Sequence, residues 1–131
     1  MLIDSDALIG LRVSRDAHNR EAIKILKVLK EMGESLVTSW QVVDETATKL
    51  SYFTTHKKAN EFLDWVFKTN IKVVYVDDQL ARKAVKKFKK QTSKRVSLTD
   101  CTNMVIAEEM GVKQIFSFDK HYEQNGLELL K

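Results

Sequence analysis

The chain has 131 residues, of which 44% are hydrophobic and 31% charged, with one cysteine and no proline. This length excludes a two-domain enzyme, since one domain usually takes about 100 to 200 residues, and a single cysteine cannot form an intramolecular disulfide. The net charge is +4, and the sequence has neither an apolar run long enough to cross a membrane nor the features of a signal peptide. We therefore expect one cytoplasmic domain over residues 1–131, with no membrane partner.

The first half of the chain predicts alternating strands and helices. The strands are predicted over residues 1–4 and 35–38, and the helices over residues 16–32, 38–53 and 59–67. In the first of these helices apolar residues recur three and four apart, and Gly33 follows where a helix C-terminus favours glycine. Thr38 and Gln41 have the spacing of a capping box, which predicts that the next helix begins there.

The second half continues the alternation. Strands are predicted over residues 71–76 and 114–118 with a final edge strand over 127–130, and helices over 77–88 and 97–110. Residues 71–76 are almost continuously apolar and rich in β-branched side chains, which is typical of a strand covered on both faces. Asp77 and Asp78 are expected to cap the helix that follows. Alternating strands and helices predict an α/β fold, a three-layer α/β/α sandwich with a mainly parallel central sheet.

Four acids stand at positions that need an explanation. Asp4 and Asp119 each follow a predicted strand, so they are expected at the carboxyl edge of the sheet, where ligands bind in such folds. Glu45 interrupts a helix face that otherwise looks core-directed, and Asp100 lies in the first turn of its helix. Each acid also has a structural explanation: Asp4, Asp100 and Asp119 as helix caps, and Glu45 as an i,i+4 partner of Lys49.

Four clustered carboxylates would repel one another, so a cation is expected among them. Mg²⁺ or Mn²⁺ prefers carboxylate oxygens, whereas zinc favours histidine or cysteine. The three histidines are far apart in sequence and Cys101 stands alone. A zinc site and thiol chemistry are therefore not expected.

A basic stretch precedes Asp100. Residues 82–95 contain eight basic residues and no acid, which indicates a polyanionic partner such as nucleic acid. The candidates for phosphate contact are Lys86, Lys87, Lys90, Lys94 and Arg95. The alternative is a solvated helix face followed by a charged loop.

Four motifs occur in a characteristic order: residues 2–9 (LIDSDALI), 42–45 (VVDE), 97–101 (SLTDC) and 115–122 (IFSFDKHY). In this order and spacing they resemble the PIN-domain nucleases, most closely the toxin subunits of VapBC-type toxin–antitoxin pairs. The resemblance assigns the catalytic acids to Asp4, Glu45, Asp100 and Asp119, and a supporting hydroxyl to Ser117.

The resemblance implies a Mg²⁺- or Mn²⁺-dependent endoribonuclease that leaves a 5′-phosphate. Asp4, Asp100 and Asp119 would hold the metal, and Glu45 would orient a water or bind a second ion. The family usually has Asn or Ser where this chain has Asp6, so Asp6 either joins the site in a supporting role or caps the following helix, and the cap is the simpler interpretation. The resemblance also implies a homodimer. It further implies a small antitoxin that binds in a hydrophobic groove between helices.

Two other functions compete with this interpretation. The start of the chain looks like the DxD motif of haloacid dehalogenase-like phosphatases, in which Asp4 would be a nucleophile and Asp6 an acid/base. No glycine follows that motif, the chain is short for that fold, and Glu45 and Asp100 would have no role. The second alternative is a non-catalytic RNA- or protein-binding module of PIN-like fold.

Overall fold

A computed structural model describes residues 1–130 and contains a five-stranded parallel sheet at its centre. The strands are β1 (Leu2–Ile3), β2 (Val37–Ser39), β3 (Lys72–Val74), β4 (Gln114–Phe116) and β5 (Glu128–Leu129). Their order across the sheet is β3-β2-β1-β4-β5, and every neighbouring pair is parallel. The predicted α/β architecture is confirmed, and the sheet is wholly rather than mainly parallel.

Helices cover both faces of the sheet. They are α1 (Ser5–Arg12), α2 (Asn19–Glu31), α3 (Trp40–Phe53), α4 (His56–Lys68), α5 (Asp78–Lys89) and α6 (Leu98–Met110), and a 3₁₀ helix covers Lys120–Asn125. Helices α1 to α4 pack against one face, around Ile3 and Phe116. Helices α5 and α6 and the 3₁₀ helix pack against the other, around Leu2 and Ile115. The alternating side chains of β1 and β4 thus contribute to two separate apolar cores.

Local hydrogen bonds fix where the helices begin. Asp77 accepts from the Leu80 amide at the start of α5, as predicted. At the start of α3 the prediction was wrong by one residue. Ser39 is the cap and accepts from the Val42 amide at 3.1 Å, whereas Thr38 lies in β2 and its hydroxyl donates to the Ile3 carbonyl.

The strands are shorter than predicted. Residues 71–76 contain only the three-residue β3, which lies at the edge of the sheet. Its Val73 and Val74 pack against opposite apolar cores and are each only partly buried. Lys72 is exposed and Tyr75 is 63% exposed. Strand β4 ends at Phe116, so Ser117 and Phe118 separate it from Asp119. Within residues 1–130 the helices fall short of the length and apolarity that a bilayer crossing requires.

Candidate functional site

Asp4 lies at the carboxyl end of the central strand β1 and is only 4% exposed. It stands before α1, but its side chain makes no capping hydrogen bond there. Instead its carboxylate accepts from Asn103 Nδ2 at 3.1 Å, from the Tyr122 hydroxyl at 2.9 Å and from Ser117 Oγ at 3.4 Å. Burial, together with the charges of Asp6 and Asp100, raises the pKa of Asp4 to about 7. The surroundings of Asp4 therefore resist its negative charge.

Asp100 acts as a helix cap and as a neighbour of Asp4. Its Oδ2 accepts from the Ser97 amide at 2.9 Å and Ser97 Oγ accepts from the Asp100 amide, which completes a capping box. Its Oδ1 accepts from the Tyr122 hydroxyl at 3.2 Å, the same hydroxyl that contacts Asp4. Burial and the charge of Asp119 raise the pKa of Asp100, against the Ser97 hydrogen bonds that lower it. The structural and functional explanations of this residue are thus compatible.

Asp119 caps the 3₁₀ helix and lies near the other acids. Its Oδ1 accepts from the His121 amide at 2.9 Å and lies 2.5 Å from His121 Nδ1. The Asp119 amide donates to Ser117 Oγ at 3.1 Å, and Ser117 Oγ also lies 3.0 Å from Asp6 Oδ1. Ser117 is 1% exposed. The Ser117 hydroxyl therefore connects the segment after β4 with Asp4 and Asp6, which follow β1.

Asp6 points toward the end of β4. Its carboxylate accepts from Ser117 Oγ and from the Phe118 amide, the latter at 2.9 Å. Burial is the main cause that raises its pKa, and the charge of Asp119 adds to it. The preferred interpretation of Asp6 as a simple helix cap does not describe these contacts. Asp6 is a fourth aspartate beside Asp4, Asp100 and Asp119.

Glu45 lies apart from the hydrogen-bond network of the aspartates. It is half-buried on α3 and forms an ion pair with Lys49 at 3.5 Å. Its neighbour Asp44 is exposed. The structure thus brings together Asp4, Asp100 and Asp119, whereas the contact it gives Glu45 is the i,i+4 pair expected from the sequence.

Two residues of this network were not identified from the sequence. Asn103 and Tyr122 are both fully buried, and Asn103 Nδ2 donates to the Tyr122 hydroxyl oxygen at 2.9 Å. Each follows a predicted acid by three residues, Asn103 after Asp100 and Tyr122 after Asp119. In a helix this spacing places two side chains on one face. That spacing was the available signal for Asn103.

The basic stretch divides into paired and unpaired side chains. Lys87 is half-buried and forms an ion pair with Glu108, so the charge of this candidate is already neutralised. The other candidates are exposed and have no ion pair within residues 1–130: Lys86, Lys90, Lys94 and Arg95.

The acids of residues 1–130 do not form a preassembled metal-binding group of three or more side chains. Several of their oxygens accept hydrogen bonds from Asn103, Tyr122, Ser117 and Ser97. Their chemistry nevertheless suits a hard divalent ion, because the donors are carboxylate oxygens and because burial and neighbouring charges raise the pKa of three of them, Asp4, Asp6 and Asp100. A bound cation would relieve that repulsion.

Comparison with known proteins gives concordant results. The family model described as PIN domain matches residues 1–126. A VapC ribonuclease from Archaeoglobus fulgidus is 33% identical over 127 residues, which cover 92% of this chain and 78% of that relative. The crystal structure of VapC20 from Mycobacterium tuberculosis, described as a toxin that cleaves the sarcin–ricin loop, has a TM-score of 0.85 over 97% of this chain and 95% of that chain, at 21% identity. This last likeness concerns the fold.

Proposed function

Because this chain belongs to the PIN-domain family, we propose that it is a metal-dependent endoribonuclease and the toxin of a toxin–antitoxin pair. The observation that carries the proposal is the meeting of Asp4 and Asp100 at one tyrosine hydroxyl, beside Asp119. The VapC ribonuclease relative supports RNA as the substrate. We take residues 1–131 as one nuclease domain.

Divalent-metal dependence is general among VapC nucleases of this family, and the aspartates of this chain fit such an ion by their oxygen donors. Asp4, Asp100 and Asp119 would hold Mg²⁺ or Mn²⁺. When bound, the ion would polarise the attacking water and neutralise charge on the phosphate oxygens. Ser117 and Asp6 support the site, since the Ser117 hydroxyl lies within hydrogen-bond distance of both Asp6 and Asp4.

Glu45 is proposed to orient the attacking water from α3. To do so, the Glu45 carboxylate must break its ion pair with Lys49 or bind the water and Lys49 together. This ion pair is partly exposed to solvent and therefore weak. Exposed cations of the basic stretch, Lys86, Lys90, Lys94 and Arg95, would contact the RNA backbone beside the acids. Lys87 is the weakest of these candidates because Glu108 already neutralises it.

The proposed partners follow from the same family membership. We propose a small cognate antitoxin as the protein partner, a homodimer as the oligomeric state and the cytoplasm as the site of action. The phosphatase alternative lacks support, since Asp6, its acid/base, is held by Ser117 and the Phe118 amide. A non-catalytic binding module is the alternative that an activity measurement has to exclude.

An RNA cleavage assay with paired variants tests the proposal. Wild type should cleave total cellular RNA with Mn²⁺ and not with EDTA, and Asp100→Asn should lower kcat by about 100-fold or more. Glu45→Gln should also lose activity, whereas its exposed neighbour control, Asp44→Asn, should retain it. RNA binding without cleavage by the wild type would favour the binding module instead.

A further inference from the structure

Asn103 connects three elements at the site. Its side chain is fully buried, and Nδ2 donates to Asp4 Oδ1 at 3.1 Å and to the Tyr122 oxygen at 2.9 Å. Its Oδ1 accepts from Ser39 Oγ, the cap of α3, at 3.4 Å. Both amide hydrogens and the carbonyl oxygen therefore have partners, and this set of partners fixes one orientation of the amide.

Tyr122 connects Asn103 to two acids. Its hydroxyl oxygen accepts from Asn103, so the one hydroxyl proton is directed to Asp4 Oδ2, at 2.9 Å, or to Asp100 Oδ1, at 3.2 Å. The two carboxylates therefore share one hydroxyl proton. The tyrosine is therefore a shared contact that keeps the two carboxylates close, although they repel each other.

We propose that Tyr122 and Asn103 are positioning residues that set the spacing and orientation of Asp4 and Asp100 for a divalent ion. This inference rests on the proposed function and deepens it. Neither residue needs to touch the ion or the RNA. Groups that hydrogen-bond to metal-binding side chains typically change metal affinity or activity by about 10- to 100-fold when they are removed.

The hydroxyl can be removed with little change in packing. Tyr122→Phe keeps the buried ring and deletes only the O–H group. Tyr75→Phe is the matched control, since Tyr75 is 63% exposed and lies beyond the end of the edge strand. Calorimetric titration with Mn²⁺ should give a dissociation constant about 10- to 100-fold higher for Tyr122→Phe, and the wild-type value for the control.

Cleavage kinetics separate positioning from a merely structural role. We expect Tyr122→Phe to cleave RNA poorly at low Mn²⁺ and to recover toward wild-type activity as Mn²⁺ is raised. Loss of thermal stability alone, with unchanged Mn²⁺ affinity, would overturn the inference. Mn²⁺ binding tighter than in the wild type would also overturn it, because the hydroxyl would then be a competitor of the ion.

Asn103→Ala provides an independent test should Tyr122→Phe fold poorly. It removes the donor to Asp4 and releases Tyr122, so the same loss of Mn²⁺ affinity is expected. Unchanged affinity in this variant would contradict the inference. The wild-type titration distinguishes the two levels of failure: a wild type that neither binds Mn²⁺ nor cleaves RNA overturns the proposed function as well.

Discussion

Asp4→Asn should stabilise the metal-free protein above neutral pH. Asp4 is 4% exposed and its pKa is raised from 3.8 to about 7, chiefly by burial. Folding of the ionised form therefore has to place a negative charge in a site that resists it. Asparagine has nearly the same shape and carries no charge.

The size of the effect follows from the shift in pKa. A change from 3.8 to about 7 corresponds to about 4 kcal/mol between the two protonation states. The folded protein binds more protons than the unfolded chain between these values, so metal-free stability falls as pH rises from about 4 to 7. Asparagine would place an NH₂ group against the donor Asn103 or Tyr122, at a cost of about 1 to 3 kcal/mol. A net gain of about 1 to 3 kcal/mol at pH 8 remains.

Urea unfolding of both proteins in EDTA, from pH 5 to pH 8, measures this difference. We expect the wild type to lose stability across this range and Asp4→Asn to show a flatter dependence, with the higher free energy of unfolding at pH 8. In thermal unfolding at pH 8 the melting temperature of Asp4→Asn should be higher by roughly 4 °C for each kcal/mol. A variant that is less stable than the wild type at pH 8, with the same pH slope, would refute the reasoning and indicate that the Asp4 carboxylate stabilises the fold.

Other substitutions test the cap of α6 and the basic stretch. Ser97→Ala should lower stability by about 1 kcal/mol in urea unfolding and also lower kcat, whereas Thr55→Ala, which removes the cap of α4, should lower stability alone. If Ser97→Ala and Thr55→Ala are equally active, the cap of α6 has no role in catalysis. Lys90→Gln should weaken RNA binding and reduce the slope of log affinity against log salt by about 0.7, and the remote Lys57→Gln should leave that slope unchanged. If the salt dependence of RNA binding has the same slope in both lysine variants, Lys90 does not contact RNA and lies on a solvated face.

The sequence predicted best those features that depend on local spacing. Asp100 and Asp77 cap their helices as expected, because each cap needs only residues three apart. The start of α3 was missed by one residue because Thr38 and Ser39 are adjacent hydroxyl residues and either can cap a helix. Which of them does so depends on where β2 ends, and the neighbouring strand determines that.

Features that depend on strand order and burial were less predictable. The apolar content of residues 71–76 does not reveal that the strand there has only three residues and lies at the edge of the sheet, with Lys72 exposed. Apart from the spacing of Asn103 from Asp100, nothing local marks Asn103 or Tyr122, since their role arises from contacts with Asp4, about a hundred residues away in the chain. Asp4, Asp100 and Asp119 could be identified from the sequence because each follows a predicted strand or lies in the first turn of a helix.

The most direct test of the central claim is a Mn²⁺ titration of EDTA-stripped wild type and Asp119→Asn, with binding heat and RNA cleavage measured in the same samples. If the aspartates form a metal-dependent nuclease site, binding and cleavage by the wild type will rise over the same Mn²⁺ range, and Asp119→Asn will lose both. Cleavage that persists in EDTA, or Mn²⁺ binding and cleavage that Asp119→Asn leaves unchanged, would contradict the account.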